Sequence, residues 1–247
     1  MLKNRLVRFC LSLGITGLLM VALYLITPNE NPPRVLVMLG GTMPEGLIQG
    51  CTYLLFFFGI FELIAIKSKI TRENDAFSAE LLPEKENYIL SPEDANQLKL
   101  NMQKLKKHHN YFLVDLIEKA CTKFRLSKSS GEVLSLVDSQ INIYNSQIES
   151  EQSYINYIAW AIPSVGFIGT VLGIAASLGY ANQASTPAGI EKVTSMLAVA
   201  FDTTLIALVL SIILMFLIHA VHKQQDELFT HMSSYINENL INRFYYK

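Results

Sequence analysis

The chain has 247 residues, of which 51% are hydrophobic and 17% are charged, and its mean hydropathy is +0.30. This composition is too apolar for an ordinary soluble domain and indicates segments that lie in a membrane. The formal net charge of −1 gives no electrostatic reason to expect a nucleic-acid partner.

Four apolar runs are long enough to cross a bilayer, which takes about 20 residues as a helix. They cover residues 9–29, 46–66 with Glu62 inside, 152–190, and 193–221 with Asp202 inside. The first run follows a basic start, but no small-x-small cleavage site ends it, so we expect a retained helix and not a signal peptide. The sequence therefore predicts an all-α, polytopic membrane protein with four transmembrane helices.

The distribution of Lys and Arg predicts the orientation of these helices. Three precede the first helix, twelve lie between the second and third, and three are in the tail, whereas each of the two short connections holds one. We therefore expect both termini and the long middle segment to be cytoplasmic.

Residues 67–90 are predicted to be polar and irregular, and the rest of the middle segment and the tail are predicted to be helical. "SPEDANQL" starts a helix at Ser91, whose mostly apolar stripe continues through Leu98 and Phe112 to Lys123, where "LSKSSG" breaks it. A second helix begins near Glu132 and, without Pro or Gly before Pro163, runs on into the third span. The tail continues the fourth span in the same way.

The predicted organisation has four parts. Transmembrane helices 1 and 2 with a short external loop occupy residues 1–67, a cytoplasmic helical segment 68–152, transmembrane helices 3 and 4 153–221, and a C-terminal cytoplasmic helix 222–247. The third and fourth helices extend into a cytoplasmic helical bundle. Its apolar stripes pack on each other, and part of each is free to face neighbouring subunits.

Motifs of enzymes and metal sites are missing from the sequence. His108 and His109 are adjacent, so on a helix they point about 100° apart and make no metal pair. Cys10, Cys51 and Cys121 lack CxxC spacing, and we expect them to be buried thiols. We predict no enzyme activity, no metal and no cofactor.

The third span, "WAIPSVGFIGTVLGIAASLG", is rich in small residues at helical spacing. One face carries Pro163, Gly166, Thr170, Gly173 and Ser177. Gly169 and Gly173 also form a GxxxG pair, which is typical of closely packed membrane helices. A packing seam explains the glycines, and Thr170 adds a hydroxyl to its middle.

The fourth span carries three polar residues in a row, Asp202, Thr203 and Thr204. An acid near the bilayer centre costs about 2.5–3.5 kcal/mol on insertion scales, so Asp202 is expected to face protein or water. The threonines either bond to carbonyls of their own helix or line a wet path opposite Thr170. Whether Asp202 belongs to that path or to the packing stays open at this point.

These residues resemble the MotA/TolQ/ExbB proton-channel family. The family pattern of Pro, Gly and Gly-Thr-x-x-Gly is matched in order by Pro163, Gly166, Gly169, Thr170 and Gly173, and the threonine of its last span aligns with Thr204. The resemblance covers residues 150–225. Val199 stands where TolQ- and ExbB-like proteins have a Glu, and Asp202 is not its positional equivalent.

The resemblance implies a homopentamer in the bacterial cytoplasmic (inner) membrane. The ring would surround a dimer of a single-span subunit similar to ExbD, TolR or MotB, whose membrane Asp carries the ion. Thr170 and Thr204, with Thr203 and Asp202 nearby, would face that Asp and line the ion path. Gly166, Gly169, Gly173 and Ser177 would pack the helices, and Pro163 would shape the lower end of the inner one.

Three other readings remain. A self-sufficient homo-oligomeric channel or transporter would need no partner, and in a tetraspan scaffold the threonines would only pack. Paired threonines also resemble sodium-type stators, since hydroxyl and carbonyl oxygens suit a hard cation. The transported ion is expected to be H⁺, with Na⁺ as the alternative.

Overall fold

The structure, a computed structural model, describes residues 4–28, 32–43, 46–79, 81–83, 89–107 and 111–244. Regular structure in these residues is helical, apart from one isolated bridge between Leu90 and Phe244. The α-helices are α1 Arg5–Ile26, α2 Arg34–Met38, α3 Leu47–Asp75, α4 Pro92–Lys106, α5 Phe112–Ser127, α6 Ser130–Gly179 and α7 Pro187–Asn239. Short 3-10 turns are Ala76–Ala79, Ala181–Gln183 and Ile241–Arg243.

Four of the helices, α1, α3, α6 and α7, are long and apolar enough to cross a membrane. The prediction of an all-helical chain with four candidate spans is therefore confirmed for the described residues. The predicted continuity is also confirmed, because α6 has 50 residues and α7 has 53 without interruption. The expectation of irregular structure from residue 67 was wrong for its first part, because α3 continues to Asp75. The orientation of the spans stays a prediction.

The prediction of one helix from Ser91 to the "LSKSSG" break was wrong. The chain forms α4 and α5, which pack on each other, and the predicted stripe residue His109 and its neighbour His108 lie outside the described residues. Packing two helices face to face buries both apolar stripes, which one straight helix leaves exposed to water. Lys104 and Lys106 occupy the last turn of α4, where cations interact favourably with the helix dipole.

Two compact units make up the fold. Unit 1 contains Met1–Ala65 and Gln152–His219, and unit 2 contains Ile66–Glu151 and Ala220–Lys247. In unit 1, the buried residues of α1 are all polar: Arg8, Ser12 and Thr16. Arg8 donates two hydrogen bonds to Glu62 of α3, from Nε at 2.7 Å and from Nη2 at 3.0 Å.

Unit 2 has an apolar core. Seven residues of α5 are buried there: Leu113, Val114, Leu116, Ile117, Ala120, Cys121 and Phe124. The ring of Phe124 stacks on Phe244 with 3.7 Å between centroids. The apolar stripes predicted for the parts of α6 and α7 that belong to unit 2 are buried as well. Their buried residues include Val133, Val137, Ile141, Ile148, Leu228 and Met232.

The expectation of three buried thiols holds for one cysteine only. Cys121 is buried, whereas Cys10 and Cys51 are exposed on the candidate spans α1 and α3. A thiol is apolar enough to lie on the outer surface of a membrane helix, which explains the difference.

Candidate functional site

Hydroxyl groups join α6 and α7 along the face that the sequence singled out. In three places a side chain of one helix donates to a carbonyl of the other: Ser177 to Val193 at 3.1 Å, Thr170 to Ala200 at 3.1 Å, and Thr204 to Gly166 at 3.0 Å. Between the first and second bonds, the bonded residue on α6 changes from Ser177 to Thr170, and the bonded residue on α7 changes from Val193 to Ala200. Both steps are seven residues, in opposite chain directions. The third lies four residues further on both helices, so the antiparallel register is constant.

A fourth bond of this kind explains Pro163. Proline has no N–H, so the carbonyl of Ala159, four residues earlier, loses its partner within the helix. Ser211 of α7 donates to this carbonyl at 3.0 Å. The bond lies seven residues beyond the one between Thr204 and Gly166 on both helices. The proline is tolerated inside α6 because a neighbouring helix satisfies the freed carbonyl.

The glycines of the seam bring the two backbones together. A Cβ on Gly166 would lie 2.4 Å from Cβ of Ala207, and one on Gly173 would lie 2.6 Å from Cβ of Ala200. On Gly169 it would lie 2.5 Å from Oγ1 of Thr203. All three distances are shorter than any side chain tolerates, so these positions need glycine for the close approach of α6 and α7.

Thr170 and Thr204 meet in the middle of the seam. Their Oγ1 atoms hydrogen-bond to each other, and each is also placed to donate to a carbonyl of the opposite helix. Two hydroxyl protons thus serve three contacts, so one contact lacks a proton at any moment. The pair therefore has three arrangements: both hydroxyls donate to carbonyls, or one donates to its carbonyl while the other donates to its partner hydroxyl. Oxygen lone pairs remain open in all three. Both side chains are half-buried.

Thr203 has a structural environment unlike that of its neighbour. It is buried, and its hydroxyl donates to Ala200 of its own helix at 2.8 Å and approaches the carbonyl of Gly166 at 3.4 Å. This is the bond back to the helix that membrane threonines often make. Thr203 fills the space that Gly169 leaves, behind the pair of Thr170 and Thr204.

Asp202 does not join the threonines. Its carboxylate accepts two hydrogen bonds from Arg34 of α2, at 2.5 Å from Nη1 and 2.8 Å from Nη2. Residues two positions apart on an α-helix are separated by about 200° around its axis. Asp202 therefore points to the side of α7 opposite Thr204. The structure brings Thr170, Thr203 and Thr204 together and pairs Asp202 elsewhere.

Sequence reasoning missed Arg34 as a partner. Arg34 is the lone Lys or Arg in the connection between the first two spans, and Asp202 is the lone acid of the fourth span. Only the need of each charge for an opposite one could have suggested the pairing. The bond from Ser211 to Ala159 was not foreseen either. The signal for it was the proline, which frees a carbonyl four residues earlier.

Four apolar helices, two of them joined by a seam of glycines and hydroxyls, define a multi-pass membrane protein. The sequence profile of the MotA/TolQ/ExbB proton channel family matches residues 104–234, and the chain belongs to this family. That range contains the whole hydroxyl seam and part of unit 2, so it is wider than the region in which the motifs were recognised. No curated protein and no solved structure matches the chain. The family is one of channel and motor subunits and is not a known class of enzymes.

Proposed function

We propose that this chain is the ring subunit of an ion-driven motor in the bacterial inner membrane. Five copies surround a dimer of a single-span subunit of the ExbD, TolR or MotB kind, and proton flow past them is converted into mechanical work. The proposal rests on family membership together with the paired hydroxyls of Thr170 and Thr204.

The hydroxyl pair supports an ion path for a chemical reason. Its two protons are shared over three contacts, so it can accept a hydrogen bond from a protonated carboxyl or donate one to a carboxylate without leaving the seam. The side chains lie where α6 and α7 meet and are half-buried, so part of each is accessible to another group. A partner's membrane Asp could therefore exchange its proton beside them.

The remaining features of the proposal follow from charge and composition. Both termini and unit 2 lie in the cytoplasm, because twelve of the Lys and Arg residues fall between the second and third spans. Unit 2 then forms the cytoplasmic body of the ring, continuous with α6 and α7.

Reconstitution with and without a partner tests this proposal. The partner is a short protein with one span, an Asp in that span and an external domain. In liposomes with a proton gradient, we expect flux from the chain and partner together and background flux from the chain alone. Flux from the chain alone would favour a self-sufficient channel, and flux only under a sodium gradient would favour a sodium-driven stator. A native mass that fits five copies plus two partners is the expected assembly.

A further inference from the structure

The connection between α1 and α3 contains a folded segment, residues 32–43. It contains α2 and then turns at Gly40, whose φ of +91° is in the left-handed region that favours glycine. Two side chains of α3 hold it from one side: the hydroxyl of Tyr53 donates to Leu39 at 3.0 Å, and the amide of Gln49 approaches Met38 at 3.4 Å. We call residues 32–43 the connecting segment.

The ion pair with Asp202 attaches the connecting segment to α7. Arg34 uses both terminal nitrogens, which is the two-pronged geometry that makes arginine–carboxylate pairs strong and directional. The Asp202 side chain is 6% exposed and that of Arg34 is 59% exposed. The acid is therefore the buried partner, and the arginine reaches it from the surface of the unit.

The position of the pair separates it from the hydroxyl pair. Asp202 faces α2, while Thr204 faces Thr170 of α6 on the other side of α7. Removing Arg34 is costly because the buried carboxylate of Asp202 then remains unpaired in a poorly solvated place. Asp202 in an apolar span thus depends on Arg34.

We propose that Arg34 and Asp202 form a latch that holds the connecting segment on α7. Asp202 is a positioning residue in this latch and is not part of the site formed by Thr170 and Thr204. The last span thus uses one side for the hydroxyl pair and the other to anchor the segment that joins the first two spans.

Cysteine labelling of the full chain in nanodiscs tests the latch without any need for ion flow. Leu36 in α2 is half-buried and Val35 is 60% exposed, so Leu36→Cys reports opening and Val35→Cys is the matched control. Cys10 and Cys51 are replaced by Ser because they are exposed. Cys121 is retained, since burial raises the pKa of its thiol to about 12 and keeps it unreactive.

We expect Arg34→Gln and Asp202→Asn each to raise the maleimide labelling rate at Leu36→Cys about tenfold, the equivalent of about 1.4 kcal/mol. The double variant R34Q/D202N should label no faster than either single variant, because both remove the same interaction. The charge-reversed pair R34D/D202R should return the rate towards the original value. Labelling at Val35→Cys should stay within about twofold in every variant.

Two results would overturn the latch. One is an unchanged labelling rate at Leu36→Cys in both single variants. The other is single effects that multiply in the double variant, since independent effects mean that the two residues do not act on each other.

The statement that Asp202 is outside the hydroxyl site rests on the proposed function and has its own readout. With partner present, R34Q/D202N should retain at least half of the proton flux. Loss of flux in this variant, with labelling as expected, would place Asp202 on the ion path. A chain that conducts nothing with any partner would speak against the proposed function and leave the labelling result standing.

Discussion

Helix α1 of unit 1 and helix α5 of unit 2 bury opposite kinds of side chain. In unit 1, α1 buries Arg8, Ser12 and Thr16, and large apolar side chains such as Leu18 and Leu25 are exposed. In unit 2, α5 buries seven residues that are all apolar or a thiol, and it carries Asp115, Glu118 and Lys119 in ion pairs at its surface. Helix α1, a candidate membrane span, thus turns its polar groups inward, whereas α5 turns them to its surface.

This contrast shows what holds each unit together. Burial of apolar area stabilises unit 2, because water is the alternative environment. Lipid offers no such gain to unit 1, so its helices associate through close backbone contact, hydroxyl-to-carbonyl bonds and the pair of Arg8 with Glu62. The following four predictions test this difference, from the largest expected effect to the smallest.

Truncation of the unit 2 core should have the largest effect. Leu116→Ala removes a fully buried side chain, and we expect a loss of about 3 kcal/mol. Hydrogen exchange of the α5 amides, followed by mass spectrometry of the full chain, measures it. Leu126 is 81% exposed, so Leu126→Ala should change stability by less than about 0.5 kcal/mol. Equal effects of the two substitutions would contradict an apolar core at Leu116.

Replacing a small residue by a large one should destabilise the seam between α6 and α7 in unit 1. In unit 2, by contrast, replacing a large residue by a small one is destabilising. Gly166→Leu forces α6 and α7 apart at Ala207, at a cost of about 2 kcal/mol or more. Gly17 on α1 has no atom within 4 Å of a Cβ position, so Gly17→Leu is the matched control. Thermal unfolding in detergent compares them. Tolerance of leucine at both positions would mean that the helices are not packed as described.

Loss of one hydroxyl bond should have a smaller effect. Ser211→Ala leaves the carbonyl of Ala159 without a donor, and we expect a loss of about 1 kcal/mol in the thermal unfolding assay. Within the part of the chain that the structure describes, Ser164 bonds to Trp160 of its own helix alone, so Ser164→Ala should be nearly silent. Combining Ser211→Ala with Pro163→Ala, which restores the missing N–H, should recover part of the loss. If the stability changes of Ser211→Ala and Pro163→Ala simply add in the double variant, Ser211 does not compensate for the proline.

The smallest predicted effect concerns the surface of unit 2 and its dependence on pH. Partial burial acts to raise the pKa of Asp115, but hydrogen bonds from Lys106 and Lys119 outweigh it and place that pKa below its ordinary value. A carboxyl with a lowered pKa contributes stability at neutral pH that is lost as the pH falls below about 4 and through the folded-state pKa.

Lys106→Met should therefore cost only about 0.5 kcal/mol at pH 7 and should reduce the loss of stability on acidification. Hydrogen exchange of α5 at pH 7, together with denaturant unfolding at pH 7 and pH 3, measures both quantities. Lys128→Met is the control, since no ion pair of Lys128 is present among the described residues. A larger acid loss in the Lys106 variant than in the unchanged chain would contradict this assignment.

The sequence allowed the long helices and one face of the seam to be predicted, because these depend on local spacing. No proline or glycine interrupts the chain between Glu132 and Pro163, and the steps of three and four residues put Gly166, Thr170 and Gly173 together. The break between α4 and α5 escaped prediction because it results from two stripes that pack on each other. The partner of Asp202 escaped because Arg34 lies 168 residues away in sequence, and no periodicity links the two.

Proton flux through Thr204 variants tests the central claim most directly. Chain and partner are reconstituted together, and Thr204→Val is compared with Thr204→Ser and with Thr194→Val. Among the described residues, the hydroxyl of Thr194 bonds to carbonyls of its own helix alone. Valine matches threonine in shape but cannot exchange a proton, so we expect an intact assembly with flux reduced at least about tenfold, or about 1.4 kcal/mol. Serine at 204 and valine at 194 should retain flux. Normal flux in Thr204→Val would contradict an ion path at the hydroxyl pair.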